Sequence, residues 1–243
     1  MIEREIDIQT SDGLMNTFIT YPEEGGPFPV VLFLMDAPGM REELHDMGRR
    51  LGTAGYYVVL PNLYYRRVRA FESDFTPASR ARMVELMSSL SNALVCRDVQ
   101  AMLDFLAGET EFARGGAIGC VGYCMSGPFA FAAASAFPAR IAAAASIHGV
   151  QLCTDAPDSP HRNAAAIKGE IYFGCAELDE HVPHEMIEKL DAHLRKTGID
   201  YRIEWYPGAH HGFVFPHRAG RYDKPSAERH WERLFALFAR KLG

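Results

Sequence analysis

The feature that most limits the possible folds is a series of short apolar runs, most of them followed by helical spacing. Phe28 to Met35 is continuous, as expected of a strand buried on both faces of a parallel sheet. Tyr56 to Leu60, Ala117 to Gly122, Ile141 to Ile147, Ile171 to Cys175 and Tyr201 to Tyr206 read as further strands. Helices are expected over Arg41 to Ala54, Pro77 to Leu90, Ala93 to Leu106, Pro128 to Phe137, His184 to Thr197 and Ser226 to Leu242. Only the start differs. There Glu5 to Gln9 and Met15 to Tyr21 alternate apolar and polar residues around Ser11-Asp12-Gly13, the pattern of a β-hairpin. Such alternation predicts a doubly wound α/β fold, a mostly parallel sheet with helices on both faces. No linker or repeat interrupts it, so residues 1–243 are expected to form a single domain.

Composition narrows the function. With 25 basic against 31 acidic residues the net charge is −6, which argues against nucleic acid or an anionic membrane as partner. The densest apolar run, Val30 to Met35, is too short to span a bilayer, and the charged start Met1-Ile2-Glu3-Arg4-Glu5 lacks a signal-peptide core. Five cysteines without a CxxC pair read as reduced thiols of a cytoplasmic protein. No HExxH or paired-CxxC spacing appears, so no metal site is expected.

In a doubly wound sheet the reactive groups collect beyond the C-terminal strand ends. One such end reads Gly122-Tyr123-Cys124-Met125-Ser126-Gly127, between a buried strand and a helix. Small residues on both sides of a nucleophile at this junction are the mark of a nucleophile elbow, a turn so sharp that its flanks must be small. Cys124 takes the nucleophile position. The helix behind it favours a thiolate, and the Met125 N–H can donate to an oxyanion. The plain alternative is a buried structural cysteine. Taking Ser126 as nucleophile would instead put Cys124 and Pro128 at the small-residue positions, which suits neither.

A thiol needs a base and an orienting acid from later strand ends, in that chain order. Glu177-Leu178-Asp179-Glu180 follows one strand and offers three carboxylates. Pro207-Gly208-Ala209-His210-His211-Gly212 follows the last and offers two histidines. Solvated loop residues would look the same singly; all three groups in order are harder to attribute to chance.

With these residues the chain resembles the dienelactone hydrolases of the α/β-hydrolase superfamily, from about Asp12 to Leu242. The likeness rests on Gly-Tyr-Cys-Met-Ser-Gly at 122–127, Ala-Glu-Leu-Asp-Glu-His-Val-Pro at 176–183 and Gly-Ala-His-His-Gly-Phe at 208–213. Pro61-Asn62-Leu63-Tyr64 and Asp36-Ala37-Pro38-Gly39 add to it. The resemblance implies Cys124 as nucleophile, Asp179 as acid, His211 as base, and the Ala37 and Met125 N–H groups as oxyanion donors. It places Asp36 where the family has a glutamate touching the resting thiol, and so implies a thiol-modulating role. It also implies an ester or lactone as small-molecule substrate, an acyl-cysteine intermediate and no cofactor.

The chain departs from the family at Ser126-Gly127, which stands for Gly-Gly, and after His211. Where the family places a carboxylate-binding arginine, this chain has Phe213-Val214-Phe215-Pro216, and the next arginine is Arg218. Weaker candidates for substrate binding are Arg80, Arg82, Arg218 and His148, the last at a strand end. His161, His181 and His184 read as surface or loop-packing residues, and Met83 and Met87 as helix core. A carboxylesterase or thioesterase for neutral acyl groups is the alternative enzyme. A non-catalytic binding protein on the same fold would be free to lose Cys124, Asp179 or His211, and none is lost.

Overall fold

A computed structural model describes residues 1–243. They form two units, Met1–Gly116 and Ala117–Gly243. In the first, β1 (Ile2–Thr10) and β2 (Gly13–Tyr21) make the expected antiparallel hairpin. The buried strands β3 (Val30–Leu34) and β4 (Tyr57–Pro61) are parallel, with β4 antiparallel to β2, so the order is β1-β2-β4-β3. The expected strand at Phe28 to Met35 is shorter because Phe28 makes only an isolated bridge to Ala113. Helix α1 (Glu42–Thr53) buries Leu44, Met47, Gly48 and Leu51, the face read from the sequence.

Helices α2 (Pro77–Ser88) and α3 (Asn92–Gly108) complete this unit. α3 buries Val95, Val99, Met102, Leu103 and Leu106, a helical stripe. α2 differs from expectation: Leu86 alone is buried, Met83 and Met87 are half-buried, and Val84 is exposed. Its sequence alternates apolar with charged residues around the whole helix, so it has no continuous face to bury.

The second unit is wholly parallel, with strands β5 (Ile118–Tyr123), β6 (Ile141–Ile147), β7 (Glu170–Leu178) and β8 (Asp200–His210) in chain order. Helices α4 (Gly127–Ala136), α5 (His184–Leu194) and α6 (Lys224–Leu242) alternate with them. Glycines on β5 show that both faces are covered. A Cβ on Gly119 would sit 2.8 Å from the Phe238 ring of α6, and one on Gly122 would sit 3.1 Å from the Ala130 Cβ of α4. α4 can approach that closely because the residue it sets against Gly122 is an alanine, Ala130, one of four alanines among its buried residues. α6 buries Trp231, Leu234, Leu237 and Phe238, each contributing about 1.5–3 kcal/mol. Strands β7 and β8 run beyond Cys175 and Tyr206, where the apolar runs stop, because they continue to pair as far as Leu178 and His210. No helix is long and apolar enough to cross a membrane.

Candidate active site

β5 ends at Tyr123, whose buried hydroxyl shares a 3.0 Å hydrogen bond with His230 Nε2 on α6. The next residue, Cys124, has φ +53°. A non-glycine residue held in the left-handed region costs about 1–3 kcal/mol, strain that persists only where the surroundings impose it. Here they do: the chain makes one tight turn over Cys124–Ser126 and passes directly into α4. A Cβ at Gly122 would lie 2.0 Å from the Ser126 carbonyl oxygen, and one at Gly127 would lie 2.4 Å from the Gly149 Cα. Both positions require glycine, as a nucleophile elbow does. Ser126 is fully buried, whereas Cys124 is half-buried between buried neighbours. The thiol is thus the group this turn presents.

At the end of β7, Asp179 accepts a 2.8 Å hydrogen bond from His211 Nδ1. Its other oxygen accepts the His181 backbone N–H at 2.8 Å. Both side chains are buried, at 1% and 8% exposure. The neighbouring carboxylates have other partners. Glu177 accepts from the Gly208 N–H at 2.7 Å, and Glu180 pairs with Arg221. His210 also points elsewhere, its Nδ1 lying 3.1 Å from the Leu178 carbonyl and 3.2 Å from an Arg221 nitrogen.

His211 Nε2 is buried and makes no hydrogen bond of full geometry. Cys124 is nonetheless close enough to act on the ring. Burial alone would lower the His211 pKa; the charge of Cys124 and the hydrogen bond to Asp179 outweigh it, and the ring is pushed up to about 10. Loose nucleophile–base contacts that tighten when substrate arrives are common in unliganded sites. A thiol, a base and an orienting acid in this relation can carry out nucleophilic acyl transfer.

His148 is buried. It follows β6 at φ +38°, is 1% exposed, and packs edge-on to His211 with ring centroids 4.7 Å apart. Tyr123, Phe213 and Phe215 surround the same ring. Both ring nitrogens are buried without a hydrogen-bond partner, and such an orphaned group costs about 1–3 kcal/mol. Aromatic side chains from the segment after β8 close over this ring, which the sequence offered as a candidate for substrate contact.

The arginine candidates have local partners. Arg80 donates to the Phe75 carbonyl and lies over the Phe75 ring, and Arg82 pairs with Glu85. Arg218 lies over the Phe215 ring, 5.8 Å from its centre. In the first unit, Ala37 is buried just beyond β3. Asp36 accepts two hydrogen bonds from Arg41, which also holds Glu43. Asp36, for which the resemblance implies a thiol-modulating role, is therefore one member of a buried ion cluster, an arrangement that spacing alone does not reveal.

Two contacts of the site were not read from the sequence. His181 packs edge-on to His211 at 4.8 Å as well as capping Asp179. An Asp bonding the N–H two residues on is a local turn signal that could have found the cap. Glu177 pinning Gly208 has no such local signal. No group of three or more His, Cys, Asp or Glu side chains is placed to hold a metal.

A model of the dienelactone hydrolase family matches residues 15–242. A Synechocystis protein named "Putative carboxymethylenebutenolidase" is 27% identical over 228 residues, covering 93% of this chain and 91% of its own length. One of the same name from Methylorubrum extorquens is 28% identical over 242 residues, covering 96% and 79%. Among solved structures, a "Putative Dienelactone Hydrolase" from Klebsiella pneumoniae aligns with a TM-score of 0.87 at 25% identity, covering 98% of both chains. With a match that takes in all but the first residues of the chain, the protein belongs to the dienelactone hydrolase family and is a hydrolase with the α/β-hydrolase fold.

Proposed function

We propose that the protein hydrolyses a small-molecule carboxylic ester or lactone through a cysteine nucleophile and an acyl-enzyme. The observation that carries this reading is Cys124 at φ +53° on an elbow, with His211 beside it and hydrogen-bonded to Asp179. His211 takes the thiol proton, and the thiolate attacks the carbonyl carbon to form the C–S bond. The resulting oxyanion is met by the Met125 N–H, a donor of a kind worth about 3 kcal/mol. Collapse breaks the ester C–O bond, and His211 returns its proton to the leaving alkoxide. Water, deprotonated by the same ring, then attacks the thioester; the C–S bond breaks and the carboxylic acid leaves. Asp179 fixes the tautomer and orientation of His211 throughout, and no step calls on a cofactor.

The family match runs across both units, which supports their acting as one domain. Five free cysteines favour a reducing compartment, and we assign the reaction to the cytoplasm. A neutral acyl group is the favoured substrate within this class. The segment after His211 is Phe213-Val214-Phe215, all buried, and the first arginine beyond it lies over Phe215.

The test is a panel of p-nitrophenyl esters and lactones with mass spectrometry of the quenched enzyme. An acyl adduct on Cys124, with turnover abolished by iodoacetamide and by Cys124→Ala, is the expected result. Turnover surviving Cys124→Ala would overturn the cysteine mechanism. A folded wild-type protein inert toward the whole panel would favour a binding role on the same fold.

A further inference from the structure

His148 takes no part in the reaction just described, yet it is a titratable group sealed within the core beside it. Its backbone is held at φ +38°, with its N–H donating to the Gly174 carbonyl at 2.7 Å. Its ring lies in a box of Tyr123 from β5, Phe213 and Phe215 from the segment after β8, and His211. Neither ring nitrogen has a partner, and neither is open to solvent. A phenylalanine would fill such a box without burying two polar atoms, so packing alone does not account for a histidine.

The imidazole can serve its neighbours in a way that phenyl cannot. Being sealed from solvent, it cannot reach substrate. The charged or titratable groups around it are His211, His230, Arg218 and Tyr123; burial first, then the charges of His211, His230 and Arg218, hold His148 well below the ordinary histidine range. Burial thus favours the uncharged ring, which has a permanent dipole and an aromatic face. Its edge-on neighbour, His211, has to carry a proton during catalysis. A neutral dipolar ring suits that state, where a second cation would repel it.

We infer that His148 is a positioning residue for His211: its water-sealed ring, packed edge-on at 4.7 Å, holds the His211 imidazole in line with Asp179 and favours the state in which that imidazole carries the proton. The inference rests on the proposed role of His211 as base. The other groups facing His211 are Asp179, Cys124 and His181, so a test must leave all three in place.

The experiment compares wild type, His148→Phe and His148→Gln by NMR titration of the His211 ring and by kcat and KM on p-nitrophenyl acetate. Phe keeps the bulk and removes the dipole; Gln restores a polar group. His148→Phe is expected to lower the His211 midpoint by about one pH unit and kcat by about tenfold, with KM within about twofold of wild type. His148→Gln should recover at least about half of the midpoint shift. A His148→Phe protein that titrates like wild type, or a Gln variant no better than Phe, would overturn the inference and leave only packing. If the wild type turns over no ester, the proposed function fails, while the titration still decides the part played by His148.

Discussion

Gly122→Ala probes the elbow without touching any reacting group. The added Cβ would lie 2.0 Å from the Ser126 carbonyl oxygen and 2.6 Å from its carbon, distances at which real Cβ contacts are essentially never found. Restoring even a tight contact of 3.0 Å moves this backbone by about 1 Å. The obstacle is main chain, so no side-chain rotation relieves it. Because Ser126 lies two residues beyond Cys124 in the same tight turn, the shift carries to the thiol and to the Met125 N–H. A displacement of about 1 Å at reacting groups can cost about 10²-fold in rate. The overpacking itself costs about 1–3 kcal/mol, with each kcal/mol worth about 2–4 °C in a chain of this size. The assay is kcat/KM on p-nitrophenyl acetate together with a thermal melt. Gly115→Ala serves as control, since nothing lies within 4 Å of its added Cβ. The control should match wild type, while Gly122→Ala loses about 10²-fold in kcat/KM and melts several degrees lower. Activity within threefold of wild type would refute the argument that this turn positions the nucleophile.

Two further outcomes follow from the base. His211→Gln is expected to lower kcat by at least about 10³-fold and His210→Gln by less than about tenfold; the reverse ranking in the same ester assay would exchange their roles. The His211 pKa, pushed up to about 10 by the charge of Cys124 and the Asp179 hydrogen bond against the opposing effect of burial, also sets a pH dependence. A raised histidine pKa contributes stability that is complete below the unfolded value of about 6.5 and is lost as pH rises through about 10. Cys124→Ala removes the largest raising cause, so NMR titration should show the His211 midpoint moving down and the alkaline loss of stability beginning at lower pH. A midpoint unmoved by that substitution would show that the two side chains do not interact.

Much of the fold is legible because strands buried on both faces leave continuous apolar runs, as at Ile141–Ile147, where the expected and observed bounds coincide. Helix α6 begins two residues earlier than its apolar face suggests. Its start is set by Asp223 accepting the Ser226 N–H and by Pro225 in the first turn. α2 looked like a core helix because methionines recur in it, yet without a continuous face it buries only Leu86. The same limit applied at the site. A lone polar residue at a strand end gives no sign of burial, and His148 is covered in part by His211, Phe213 and Phe215, which arrive from far along the chain. Nothing in the spacing around Asp36 reveals that Arg41 folds back on it.

The choice within each reactive cluster was equally hidden, and the sheet register makes it. Ala176 pairs with Tyr206 but Leu178 pairs with His210, so β8 uses four residues where β7 uses two. The extra length includes Gly208 at φ +71°, and the Glu177 carboxylate holds its N–H at 2.7 Å. A slip of two residues keeps every side chain on its own face, where a slip of one would turn them all over. Continued without the bulge, the register would bring Ala209 level with Asp179. With it, Asp179 and His211 follow a paired couple and leave the strands side by side, close enough to bond at 2.8 Å. His210 alternates to the other face, where the Leu178 carbonyl and Arg221 receive it. The three carboxylates around the end of β7 divide accordingly: Glu177 secures the bulge, Asp179 meets His211, and Glu180 binds Arg221. Local spacing displays Glu-Leu-Asp-Glu and Gly-Ala-His-His-Gly as two sets of near-equal candidates. The pairing of two strands through an irregular step selects one member from each, and that pairing is a long-range property that neither segment carries by itself.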